Sequence, residues 1–190
     1  MSREANRAGV QYPGGIRALY RWGGSGQGPA VFALSEAGGS LTEHGELVSP
    51  IFDELCRAEV RVEGPTGVWT ARFASPIFDE PAGLLWDTGG LLVIKYGFLT
   101  YGFEVRGGKL RWSHRSATPL LAVFGSSRLD HVIVQSEIET FAVDAAGEVR
   151  WRVAHSDVVV EAELVGGRLV LQGYSGLLTA LDPASGRGAD

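Results

Sequence analysis

The chain has 190 residues, 45% of them hydrophobic, and a formal net charge of −5. That length suits one well-buried domain, with residues 1–190 forming a single unit. The acidic balance, without any Lys/Arg cluster, argues against a nucleic-acid binder that works by neutralising phosphates. No apolar run approaches the ~20 residues that span a bilayer.

One cysteine, Cys56, rules out an internal disulfide and reads as an apolar buried thiol. The polar start, residues 1–7, lacks the apolar core of a signal peptide. A cytoplasmic location is the expectation. The 27 glycines are about twice the usual share. Spread between apolar runs, they suit the many tight turns of an all-β fold.

Gly15-Ile16-Arg17-Ala18-Leu19-Tyr20-Arg21-Trp22 is the first strand-like run, and it ends in tryptophan. Ala30 to Ser35 is also strand-like, and Val60–Glu63 with Val68–Phe73 reads as a hairpin across Gly64-Pro65-Thr66-Gly67. The stretch between, Glu36 to Leu55, is ambiguous. It holds Ser49-Pro50-Ile51-Phe52-Asp53-Glu54, which recurs as Ser75-Pro76-Ile77-Phe78-Asp79-Glu80. The recurrence reads as one strand-entry sequence used twice, the other reading being a paired acidic site from Asp53, Glu54, Asp79 and Glu80.

Next, Ser75–Phe78 opens a unit whose middle strands are Leu91–Lys95 and Leu99–Val105, and Gly107-Gly108 turns into Lys109–Trp112. The third unit is the easiest to parse. Thr118–Phe124 reads as a buried strand, His131–Gln135 and Ile138–Val143 follow, and Glu148–Val153 is the fourth strand. The last unit offers Val158–Leu164, Arg168–Gln172 and Leu177–Leu181, then the turn Asp182-Pro183-Ala184-Ser185-Gly186.

Trp22, Trp69, Trp112 and Trp151 each close such a run, at intervals of 47, 43 and 39 residues. Repeats of ~40–45 residues made of short strands have the spacing of β-propeller blades. The predicted fold is therefore all-β: a small β-propeller with four blades of four antiparallel strands, at about 30–69, 74–112, 117–151 and 158–190. The interval would put a further tryptophan at Asp190, so the last blade lacks its fourth strand. The expectation is that residues 16–22 supply it, either within one chain or exchanged between two, giving a monomer or a strand-exchanged dimer.

Ser75-Pro76, Ala180-Leu181-Asp182-Pro183-Ala184-Ser185-Gly186 and Gly108-Lys109-Leu110-Arg111-Trp112 together resemble the pyrroloquinoline-quinone-like β-propeller repeat. The resemblance covers residues 75–190 well and residues 16–74 only through the tryptophan spacing. It implies that each tryptophan packs between adjacent blades. It does not bring the quinone: the vicinal disulfide of the quinone enzymes cannot form with Cys56 alone, and no calcium loop is present. No cofactor and no metal are expected. Short relatives of the repeat are mostly assembly or scaffold proteins.

No phosphate-binding glycine loop, His-Glu-x-x-His or Cys-x-x-Cys occurs. In a propeller, the segments after each tryptophan and the loops between second and third strands emerge on one face. That face would collect Arg72, His114, Arg115, His155 and Asp157, with Tyr96, Glu137 and Tyr174 from the other loop set. His44 and His131 receive no role. The leading expectation is a non-catalytic binding module or scaffold engaging a protein or peptide through this face. The alternative is a small enzyme, or a metal- or small-ligand-binding protein, using His114, His155 and Asp157.

Overall fold

The computed structural model describes residues 4–32, 38–45 and 54–189. The chain divides into two compact units, Met1–Pro81 with Glu104–Lys109, and Ala82–Phe103 with Leu110–Asp190. Among the described residues the first unit is one five-stranded sheet and the second is three consecutive sheets. This is an all-β architecture of β-propeller type.

In the first unit, β1 (Asn6–Tyr12) and β2 (Ile16–Gly23) form a hairpin, with Tyr12 paired to Ile16. Gly14 and Gly15 carry the turn at φ 79° and 73°, where a side chain would be strained. β2 pairs on its other edge with β4 (Cys56–Gly64), which pairs with β5 (Gly67–Ser75). β3 (Ser40–Gly45) runs parallel to β5 on the outer edge. β4 is buried on both faces, so its polar residues need partners. Arg72 Nε reaches the fully buried Glu59 carboxylate at 3.0 Å. Arg61 bonds Glu63 at 2.9 Å and the Gly38 carbonyl at 3.2 Å.

The second unit repeats one antiparallel plan. Its first sheet is β6 (Ala82–Trp86), β7 (Leu91–Tyr96), β8 (Leu99–Glu104) and β9 (Leu110–Arg115). The second is β10 (Leu120–Phe124), β11 (His131–Ser136), β12 (Glu139–Asp144) and β13 (Val149–Ala154). The third has three strands only, β14 (Val159–Val165), β15 (Arg168–Gly173) and β16 (Leu178–Leu181). Each sheet buries alternate side chains against the next. Trp112, Leu91 and Val93 pack with Val132, Val134, Phe141 and Val143, and Ile133 and Trp151 pack with Leu169, Leu171 and Leu181.

The tryptophans fit this plan through glycines. Gly102 lies directly across the β8–β9 ladder from Trp112, where a β-carbon would collide with the indole. On its other side Trp112 fills the space that a side chain at Gly147 would need, 2.7 Å from its own Cβ. Trp151 occupies the same place over Gly186, and Trp69 over Gly108 in the first unit. A fully buried indole contributes about 4–6 kcal/mol through area alone. The interval of about 40 residues is therefore the distance from one such seat to the next.

Four expectations are corrected. Residues 16–22 do not complete the last sheet; β2 is an interior strand held on both edges by β1 and β4, with Trp22 opposite Ala58. A strand already paired on both sides has no edge left to give. The strands number five, four, four and three per sheet rather than four throughout. Ala30–Ser35 is not a strand where it is described: Gly28–Val31 is a single helical turn (α1) with Pro29 near its start, a position where proline's fixed φ is favourable. Finally, the second unit's first strand is Ala82–Trp86, not Ser75–Phe78, because Asp87–Gly90 supplies the tight turn back into β7. Most of Ser49–Glu54 lies outside the described residues, as do 33–37.

Candidate partner-binding face

At one end of the second and third sheets, polar groups are chained together. Gln135 and Thr140, both fully buried, face each other across the β11–β12 ladder. The Thr140 hydroxyl donates to Gln135 Oε1 at 2.6 Å, and the Gln135 amide donates to the carbonyls of Ser136 and Glu139. Having spent its proton, the Thr140 oxygen accepts from His155 Nε2 at 2.6 Å. His155 is thereby fixed in the Nε2–H tautomer, and burial holds its pKa below the ordinary value. Its Nε2–H thus serves the hydrogen-bond chain as a positioned donor.

Two residues on, Asp157 Oδ2 accepts from the Ser175 hydroxyl at 2.6 Å and the Ser175 backbone N–H at 3.0 Å. These bonds to the charged form lower the Asp157 pKa. They also tie the connection into β14 to the β15–β16 turn. That turn projects Tyr174 and Leu177, which with Leu178 are 82%, 65% and 65% exposed. Val158 and Val160 beside them are exposed as well. Between β13 and the third sheet lies a cavity of about 250 Å³, lined by Val153, His155, Asp157, Leu171, Thr179 and Leu181 among others.

The edge of β16 borders this cavity. In the two complete sheets the place beyond the third strand is filled by β9 and β13. Here, among the described residues, the chain begins the same pairing: Leu181 bridges Gly188, Asp182 N–H donates to the Arg187 carbonyl and Ala189 N–H to the Ala180 carbonyl. The corresponding pairs are Phe103 with Leu110 and Val143 with Val149.

The other sequence candidates have contacts of their own, and of them Glu137 reaches the Val159 backbone at the cavity. Arg72 lies within β5 of the first unit, on Glu59 and with its guanidinium 4.3 Å from the Phe32 ring centroid. Tyr96 ends β7 and is buried. His114 lies within β9, wedged against Trp112 and Phe141, and donates to the Gly147 carbonyl at 2.7 Å. Arg115 lies over the Phe98 ring at 5.5 Å. Glu137 is half-buried in the β11–β12 connection, its carbonyl accepting from Val159 N–H.

His114, His155 and Asp157 thus have separate partners. Among the described residues no three His, Cys, Asp or Glu side chains are grouped to hold a metal ion. Asp79 is half-buried and Glu54 and Glu80 are exposed, while Asp53 lies outside the described residues. Cys56 is a free, buried thiol whose pKa burial pushes up. Sequence reasoning missed the exposure of Leu177 and Leu178. The signal was present in the pair Leu177-Leu178, which breaks the apolar–polar alternation of a half-buried strand.

No family model and no curated protein matches the chain. Solved structures do. HIRA(644-1017) matches the whole chain at 9% identity and a TM-score of 0.51, over 53% of its own length. BamB from Moraxella catarrhalis matches the whole chain at 17% identity and a TM-score of 0.55, over 50% of its length. The dihydro-heme d1 dehydrogenase NirN, solved in complex with DHE, matches 72% of the chain at 13% identity and a TM-score of 0.54, over 33% of its length. The chain thus spans about half or less of each of these proteins. At such identities the likeness shows the fold alone, and that fold is the β-propeller.

Proposed function

We propose that this chain is a non-catalytic binding module that engages a protein or peptide through the loop end of its second unit, around Tyr174, Leu177, His155 and Asp157. The observation that carries this reading is the exposed apolar group Tyr174, Leu177 and Leu178 beside a cavity whose polar rim is already hydrogen-bonded. Exposed tyrosine and leucine at a rigid turn suit a protein interface. The titratable side chains nearby hold the loops in place, which leaves the enzyme alternative with no assembled acid–base pair. The repeat itself we read as pyrroloquinoline-quinone-like, supported by Gly108–Trp112 and Ala180–Gly186. The free buried thiol supports a reducing compartment such as the cytoplasm.

The test is affinity capture from native lysate with the wild-type chain and with Tyr174→Ser/Leu177→Ser. A specific partner retained by the first and lost by the second, at unchanged melting temperature, is expected. Equal capture by both, or stoichiometric metal in the purified protein that disappears in His155→Ala, would overturn the reading.

A further inference from the structure

We infer that the turns closing the first two sheets of the second unit form a binding site for a small zwitterion with an apolar body, of the free-amino-acid class. The turns are those of β6–β7, β10–β11 and β12–β13. In an antiparallel meander successive connections leave from opposite ends, so this site lies at the other end of the strands from the β13–β14 and β15–β16 loops. It goes beyond the partner-binding reading and does not depend on it.

Trp86 is the tryptophan that the periodic series leaves out. β11 begins 40 residues after β7, and Phe124 meets Ile133 as Leu84 meets Val93. By that correspondence Ser126 holds the place of Trp86 in the next sheet, so the repeat itself requires no indole there. Trp86 is 5% exposed and its Nε1–H has no hydrogen-bond partner, although a buried indole N–H ordinarily finds an acceptor. The Nε1–H groups of Trp112 and Trp151 share that lack. Trp86 differs in lining open space while its ring is held over Gly89, where a β-carbon would collide with it.

Two cavities adjoin at this place, of about 350 and 260 Å³, and Trp86, Thr88 and Ser127 line both. Such volumes suit a small molecule. The larger cavity takes in Arg128 and Asp130, the smaller Asp87 with an apolar wall from Leu84 and Leu85. Among the described residues neither the Arg128 guanidinium nor the Asp87 carboxylate, both exposed, has an ion-pair partner. Asp130 already has its Oδ1 on His131 Nδ1 at 3.0 Å. Arg128 and Asp87 thus offer one charge of each sign in adjoining cavities. A ligand carboxylate goes to the Arg128 side, where the Ser127 and Thr88 hydroxyls and the Trp86 N–H supply further donors. The ammonium goes to Asp87, and the apolar body to Leu84 and Leu85.

The test is isothermal titration calorimetry of the whole chain with L-leucine, L-isoleucine and L-phenylalanine in turn. Saturable binding of at least one is expected, weakened about tenfold or more by Arg128→Gln and by Asp87→Asn. Trp86→Phe keeps a ring, removes the donor and should weaken binding by a similar factor. So should N-acetylation or amidation of the amino acid, each of which deletes one charge. Thermal melts confirm that the variants fold; if Trp86→Phe does not, the two exposed charge variants decide alone. Three results would each overturn the inference: no saturable binding of any of the three, binding unmoved by the charge variants, or an acetylated or amidated form as tight as its parent. Partner capture through Tyr174 and Leu177 is read separately, so the failure of either reading leaves the other where it was.

Discussion

The glycine facing each tryptophan is where single atoms have the largest effect on this fold. Gly147 adopts φ 90° and lies against Trp112, whereas Gly166, at φ 59°, has open space around its missing side chain. Gly147→Ala therefore meets both backbone strain and overpacking, and should lower stability by about 2–4 kcal/mol in urea unfolding. Gly166→Ala carries the strain alone and should cost about 1 kcal/mol. Equal effects would mean that the indole is not seated as described. These glycines were visible in the sequence as turn residues, but their role as seats was not. That role depends on a partner 35 residues or more earlier in the chain, as with Trp112 and Gly147, which no local pattern reports.

Among the elements, legibility followed locality. The β10–β13 sheet is a simple meander of short apolar runs paired with their sequence neighbours, so its strands fall within two residues of expectation. The first unit was misread because its pairings are not sequential: β2 reaches past α1 and β3 to β4, and β3 joins β5 in parallel. β4 also carries Arg57, Glu59 and Arg61 at buried positions, which looks like a solvent-facing alternation until Arg72 is brought across from β5. This pairing has its own test. Glu59→Gln or Arg72→Met alone leaves one buried partner poorly satisfied and should cost about 2–4 kcal/mol in chemical denaturation. Changing both to methionine should cost less than the sum of the single losses. Additivity within error would show that the two side chains do not depend on each other. The candidate site was half legible. His155, Asp157 and Tyr174, expected on the loop face from the repeat, are described at the loop end of the second unit, whereas Arg72 and His114, expected there too, lie within β5 and β9, because a short sequence run does not show how far a strand extends past its tryptophan.

Across the whole molecule, pH acts on both units in the same direction near neutrality. Burial holds the pKa of His44, in the first unit, and of His155, in the second, below the ordinary 6.5. The folded chain then binds fewer protons than the unfolded one between 6.5 and each folded value. Stability is fully present above 6.5 and falls as the pH drops through that window. Asp157 and Asp182, held below their ordinary 3.8 by hydrogen bonds from Ser175 and Ser185, contribute stability above that value that is lost only at lower pH. Melting temperature should therefore fall in two stages on acidification, the first setting in as the pH drops below 6.5. His155→Gln should shrink the first stage and leave the second in place. A profile unchanged by that substitution would mean that His155 is not held neutral by its surroundings.

The glycine seats also bear on how such a chain grows. Because a tryptophan at the end of one sheet is received by a glycine in the final turn of the next, the heritable module is a junction rather than a sheet. Duplicating the segment from one tryptophan to the next carries a complete plug and a complete socket. Lengthening by such units requires no new complementarity to be invented, since Trp151 already meets Gly186 as Trp112 meets Gly147.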